Sequence, residues 1–168
     1  IKEAENEIDR FEDKISTYMV KLSTGNLSEK ASKEVSEILH VVGDLERISD
    51  HSVNICEVAE EVNSKGIEFS EKAKKDISVI SSAVKEIITL TFDALSQENL
   101  DLAKQVEPLE QVIDRLKRKI KAGHIERLKD GNCTIELGFV FSDLLANYER
   151  VSDHCSNIAV CLFICYKR

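Results

Sequence analysis

The side chains best placed to do chemistry in this 168-residue sequence are carboxylates, and they come in a doubled pattern. Glu46-Arg47-Ile48-Ser49-Asp50-His51-Ser52-Val53-Asn54-Ile55 returns as Glu149-Arg150-Val151-Ser152-Asp153-His154-Cys155-Ser156-Asn157-Ile158, with seven of ten positions identical. Upstream, Glu5-x3-Asp9-Arg10 returns as Glu110-x3-Asp114-Arg115, and Ile8, Lys14 and Ile15 return as Ile113, Lys119 and Ile120. Side chains four apart share one face of a helix. Each repeat can therefore present two acidic pairs if its two segments are antiparallel helices. An oxygen-rich cluster of that kind suits hard or borderline divalent cations, with Asn54, Asn157, His51 and His154 as candidate additional ligands. His51 and His154 stand one residue past the aspartate stripe, a position that equally suits contact with a neighbouring helix. A ligand-free account also exists. Arginine directly follows Glu46, Glu149, Asp9 and Asp114, so interhelical Asp–Arg pairs would compensate charges that otherwise repel.

The elements that must position these groups are legible from apolar residues recurring at three- and four-residue spacing almost throughout. A first helix runs from about Ile1 to Leu22 and stops at Gly25-Asn26; a second starts after Ser28 and reaches about Val62, before Gly66. A third extends from Ser70-Glu71 to Ser96. A fourth begins near Asn99 and ends by Lys129, with a kink or break expected at Pro108. Thr134 caps a fifth that runs to about Tyr166. Short loops between long amphipathic helices imply antiparallel neighbours in an all-α bundle. Rise per residue then tests whether the carboxylates meet. From the Gly25-Asn26 turn, Asp9 and Glu5 lie about 25 and 31 Å along one arm, and Glu46 and Asp50 about 30 and 36 Å along the other. In the second repeat Asp114 and Glu110 lie at about 26 and 32 Å, against about 27 and 33 Å for Glu149 and Asp153. Both hairpins bring their two pairs to nearly one level.

Composition removes several function classes. A net charge of −8 with no concentrated basic face argues against nucleic acid as a partner. The apolar run from Ile158 to Tyr166 is too short to span a bilayer, and no signal peptide is visible at the start. Five cysteines without a C-x-x-C pair, three of them in an apolar helical stretch, read as free thiols in a reducing, cytosolic setting. A di-iron oxygenase would need Glu-x-x-His on each of two helices, and only Glu37-x-x-His40 fits. The two histidines outside the repeats, His40 and His124, suit surface or core-edge positions, with a structural role near the Asp130-Gly131 turn also open to His124. The sequence begins without Met and inside a helical pattern, which reads as part of a longer chain.

The doubled E-R-[IV]-S-D-H-x-x-N-I, each with its upstream E-x-x-x-D partner, resembles the PhoU domain. The stretch His124-Ile125-Glu126-Arg127-Leu128-x-x-Gly131-x-Cys133, followed by Phe141-x-Asp143-x3-Asn147-x-Glu149-Arg150, is similar to the variety fused behind sodium/phosphate cotransporters. The resemblance covers essentially the whole chain. It implies one domain over 1–168, built as two pseudo-symmetric three-helix bundles: a truncated repeat over 1–66, lacking its leading helix, and a complete one over 67–168. It further implies a non-enzymatic, cytoplasmic-side regulator of phosphate uptake whose partners are the transporter membrane domain or its regulators. Multinuclear metal clusters, often iron, would be held by Glu5, Asp9, Glu46, Asp50, Glu110, Asp114, Glu149 and Asp153. The alternatives are a free-standing helical module binding a transporter ATPase or sensor kinase without metal, and a carboxylate-bridged metalloenzyme. In the first hairpin, the apolar stripe of Ile8, Ile15, Ile38, Val42, Leu45, Ile48 and Ile55 lacks a covering helix, so a homo-oligomer is expected.

Overall fold

The computed structural model describes residues 1–131 and 133–166. It folds them into five helices: α1 (Lys2–Ser23), α2 (Glu29–Ser64), α3 (Glu71–Ser96), α4 (Leu100–Lys129) and α5 (Ile135–Tyr166). Side-chain caps start four of them. Ser28 accepts from the Ala31 amide, Ser70 from Ala73, Asn99 from both Asp101 and Leu102, and Thr134 from Leu137, satisfying amides that have no partner within the helix. At the end of α2 the chain turns through Gly66 at φ +60°, where the Gly66 and Ile67 amides bond back to Asn63 and Val62. Only a residue without a Cβ takes that left-handed conformation at little cost. Of the kink or break expected at Pro108, the break does not occur: α4 runs as one helix through it. The ring is on the solvent side, as is Lys104, so the carbonyl freed by the missing N–H faces water.

Helices α3, α4 and α5 pack against one another in all three pairings, whereas α1 packs only on α2, and α2 on α1 and α5. The second half is thus a closed three-helix bundle and the first a hairpin laid against α5, which matches the expected all-α architecture. The core follows from this arrangement. Ile80 and Ile87 from α3, Val106 and Ile113 from α4, and Phe141, Leu145, Val151 and Ile158 from α5 are fully buried. Twelve residues of α5 are buried, against three of α2 and none of α1, so α5 is the spine to which everything else is referred. Phe11 and Tyr18 of α1 remain 61% and 60% exposed. Where α2 meets α5, the repeated Ile48-Ser49 and Val151-Ser152 are buried; the small serines allow the two helices to approach.

His124 is not at the surface or core edge but buried, in the structural position near the α4–α5 turn that was its alternative. It is 4% exposed, its ring lies 5.0 Å from that of Phe141, and Nδ1 is 3.9 Å from Cys133 Sγ. Burial first, and the Arg127 charge second, pull its pKa below the usual histidine range. Arg127 in turn spans to Asp76 on α3 at 3.1 Å. The ring fills the space that a side chain at residue 138 would need: a Cβ on Gly138 would sit 2.9 Å from His124 Nε2. At Gly43, in the middle of α2, an added Cβ meets nothing within 4 Å. Gly138→Ala should therefore lower the urea midpoint, at a cost of about 1–3 kcal/mol from overpacking. Gly43→Ala should raise it, with a stability gain of about 0.5–1 kcal/mol, because a flexible helix-interior residue is stiffened. Equal midpoints for the two variants would contradict this packing.

Candidate metal centre

Helix α1 supplies Glu5 and Asp9, and α2 supplies Glu46 and Asp50. One oxygen each from Glu5, Asp9 and Asp50 can be chosen so that all lie within 4.8 Å of one another. That span is about twice a metal–oxygen distance of roughly 2.3–2.6 Å, the width of one coordination sphere. Glu46 belongs to the same group electrostatically. Burial raises its pKa above the usual carboxylate range, and the charges of Asp50 and Asp9 raise it further against the opposing effect of Arg47. Burial, then Asp9 and Asp50, likewise raise Glu5. Asp9 Oδ1 is buried with no hydrogen-bond partner. A buried, unsatisfied carboxylate oxygen is costly in a packed protein. A cation between these oxygens would supply the missing partner, so the residues fit a metal.

The second cluster takes Glu110 and Asp114 from α4 and Glu149 and Asp153 from α5. Their charges act on one another: burial, then Glu107, Asp153, Asp114 and Glu149, raise Glu110. Burial and Glu149 raise Asp153, against Arg150, His154 and Lys117. The counted levels are not those seen in the first hairpin, where Asp50, placed about 11 Å beyond Asp9 by rise per residue, joins Glu5 and Asp9 within 4.8 Å; among the described residues the second cluster forms no group that tight. Its cations differ as well. Lys117 of α4 bonds Glu149 of α5, Arg118 bonds Asp114 at 2.8 Å, and Arg150 lies 3.6 Å from Asp153. In the first cluster the exposed Arg47 reaches Glu46 at 3.4 Å and Asp50 at 3.3 Å. The arginine pairs thus run within single helices rather than between them, and exposed pairs of this kind contribute little.

The motif histidines and asparagines fall elsewhere. The rings of His51 and His154 stack on each other across the α2–α5 interface, with centroids 5.6 Å apart. His51 Nδ1 lies 2.9 Å from Asn147 Oδ1, and His154 Nδ1 lies 2.8 Å from Asp44 Oδ1, which also accepts from Asn157 Nδ2 at 3.2 Å. Asp44 and Asn147 are equivalent positions in the two repeats, so these contacts are related by the pseudo-symmetry. Of the two roles open to the histidines, contact with a neighbouring helix is the one seen. Asn54 is exposed on α2. Glu37 and His40 line an open groove of about 630 Å3 with Glu12, Asp44 and Glu46. Spacing rules did not single out Asp44, Asn147 or Lys117. Laying one repeat over the other would have, because it aligns Asp44 with Asn147 and sets Lys117 against Glu12.

A family model described as the PhoU domain matches residues 1–59 and 77–162. Phosphate-specific transport system accessory protein PhoU homolog 1 of Thermotoga maritima is 31% identical over 129 residues, 77% of this chain and 55% of that protein. A PhoU homolog of the same description from Borreliella burgdorferi is 26% identical over 135 residues, 78% of this chain and 60% of that one. The chain thus spans little more than half the length of these relatives. In fold, the crystal structure of PhoU from Pseudomonas aeruginosa matches 99% of this chain and 79% of its own, with a TM-score of 0.89 at 22% identity.

The crowded carboxylates give the metal-free protein a pH signature. Glu5, Glu46, Glu110 and Asp153 are raised above their ordinary values, so the folded state holds protons that the unfolded state releases. Their contribution is present below the unfolded pKa and is lost as pH rises through the folded one. Asp101 and Glu107, lowered by Lys104 and by Ser156 and Gln111, act in the opposite sense, so a variant must isolate the clusters. Glu46→Gln with Glu110→Gln should raise the urea midpoint of metal-free protein at neutral pH. That advantage should shrink as the pH falls into the ordinary carboxylate range. An advantage that grows on acidification would contradict the crowding.

Proposed function

The chain belongs to the PhoU domain family, and from that premise we propose that it is a metal-capable regulatory domain of phosphate uptake. The observation that carries the metal part is the first cluster: oxygens of Glu5, Asp9 and Asp50 within 4.8 Å of one another, with the buried Asp9 Oδ1 lacking any other partner. Glu5, Asp9, Glu46 and Asp50 are the side chains that would hold the ion there, and Glu110, Asp114, Glu149 and Asp153 are their equivalents in the second repeat. A bound divalent or iron-type ion would supply the charge that lets these carboxylates stay ionised together. The domain acts on the cytoplasmic side of the membrane, through the phosphate transporter or its regulators. No described helix is long and apolar enough to cross a bilayer itself.

Two settings suit such a domain. One is fusion behind a sodium/phosphate cotransporter, supported by the resemblance around His124–Cys133 and Phe141–Arg150. The other is an accessory protein of a phosphate-specific transport system, supported by the names of the relatives. Radiolabelled phosphate uptake tests the function and separates the settings. Cells lacking the protein should take up phosphate at a rate that no longer responds to external phosphate. Wild-type and Gly43→Ala proteins should restore the response, and Asp9→Asn with Asp50→Asn should not. A sodium-dependent defect points to the fusion and a sodium-independent one to the accessory protein. Uptake identical with and without the protein would contradict the proposal.

A further inference from the structure

The two carboxylate clusters occupy equivalent positions but have unlike surroundings. Matching Glu5 with Glu110 and Asp9 with Asp114 sets Glu12 against Lys117 and Asp13 against Arg118. Just past the paired carboxylates, the first helix of repeat 1 stays acidic, while its counterpart in repeat 2 turns basic. The consequence is visible in the structure. The Lys117 side chain is only 21% exposed, and its ammonium bridges α4 to Glu149 on α5. Its charge also reaches Asp153, while Arg118 holds Asp114 and Arg150 lies beside Asp153. Arg118 and Arg150 are as exposed as Arg47 of the first cluster, so the half-buried Lys117 is the cation that sets the second cluster apart. In the first cluster, among the described residues, Glu5 and Asp9 have no cationic partner, and the single arginine that touches Glu46 and Asp50 is largely exposed. Glu12 instead accepts a hydrogen bond from Ser16 on its own helix, at 2.7 Å.

An ammonium group between two helices does part of what a metal ion would do there. It neutralises a carboxylate and occupies acceptor directions, and as a compact point charge it repels an incoming cation at short range. We propose that only the first cluster takes up a metal ion, and that Lys117 is the fixed counter-ion that closes the second. This inference rests on the metal-capable function proposed above and makes the two repeats unequal: one loads metal, and the other is held together by the protein's own cation.

Equilibrium dialysis against Mn2+ alone, with bound metal counted per chain by elemental analysis and its environment followed by electron paramagnetic resonance, separates the possibilities. In the wild-type protein, Asp9→Asn with Asp50→Asn should abolish bound Mn2+, and Asp114→Asn with Asp153→Asn should leave it unchanged. Lys117→Met, which keeps the length of the stem, should add Mn2+ and a second spectral component. The Asp114/Asp153 pair of changes should then erase both. Lys117→Gln should behave like Lys117→Met, and Glu12→Lys should lower wild-type binding, so the test does not hinge on one variant folding. Far-UV circular dichroism confirms that each variant keeps its helices. If the Asp114/Asp153 pair removes Mn2+ from wild-type protein, or if neither Lys117 variant gains any, the closed second cluster is overturned while the metal-capable function stands. If no variant binds Mn2+ at all, both are overturned.

Discussion

Carboxylates held side by side repel, and a fold that gathers them between two helices must be held together elsewhere. Here that support comes from α5. Its buried face closes the second bundle with α3 and α4, and the same helix receives α2 across the Ile48-Ser49 and Val151-Ser152 contact. Within each hairpin the acidic pairs sit on faces turned away from this core, so the cost of crowding is borne at the rim of the packing rather than inside it. The raised pKa values of Glu5, Glu46, Glu110 and Asp153 record that cost in the metal-free state.

The repeated E-R-[IV]-S-D-H motif divides its work by helical phase. Glu and Asp, four apart, face the partner helix of their own hairpin. The branched apolar residue and the serine face the other repeat and are buried. The histidine stacks on its counterpart and pairs with Asp44 or Asn147. The arginine stays on the outer side, bonding back to the aspartate three residues on. One ten-residue segment thus fixes both the cluster within a repeat and the junction between repeats. A shift of α2 against α5 would disturb the histidine stack, while α1, packed only on α2, would move with it.

Much of this was legible before any coordinates. Three- and four-residue apolar spacing with cap residues located five helices to within two residues at each end, because those signals act locally. Rise per residue brought the acidic pairs of α1 and α2 to the same end of the hairpin, but not the register that sets Asp50 beside Glu5 and Asp9. What stayed hidden depends on groups far apart in sequence. Pro108 marks a break only where the freed carbonyl has no water, and its exposure could not be read from spacing. The choice of His51 and His154 between ligand and interface was decided by Asp44 and Asn147, about a hundred residues from their partners. Lys117 was visible as a letter, but its reach across to Glu149 depends on how α4 and α5 face each other.

The central claim is that a cation between α1 and α2 completes the first cluster, while the protein's own lysine completes the second. Anomalous diffraction at the manganese edge, from crystals of the wild-type protein grown with Mn2+, tests it most directly. The account predicts a peak bounded by Glu5, Asp9 and Asp50, and featureless density among Glu110, Asp114, Glu149 and Asp153 with Lys117 in place. Peaks of equal height in both clusters, or a peak in the second alone, would contradict it.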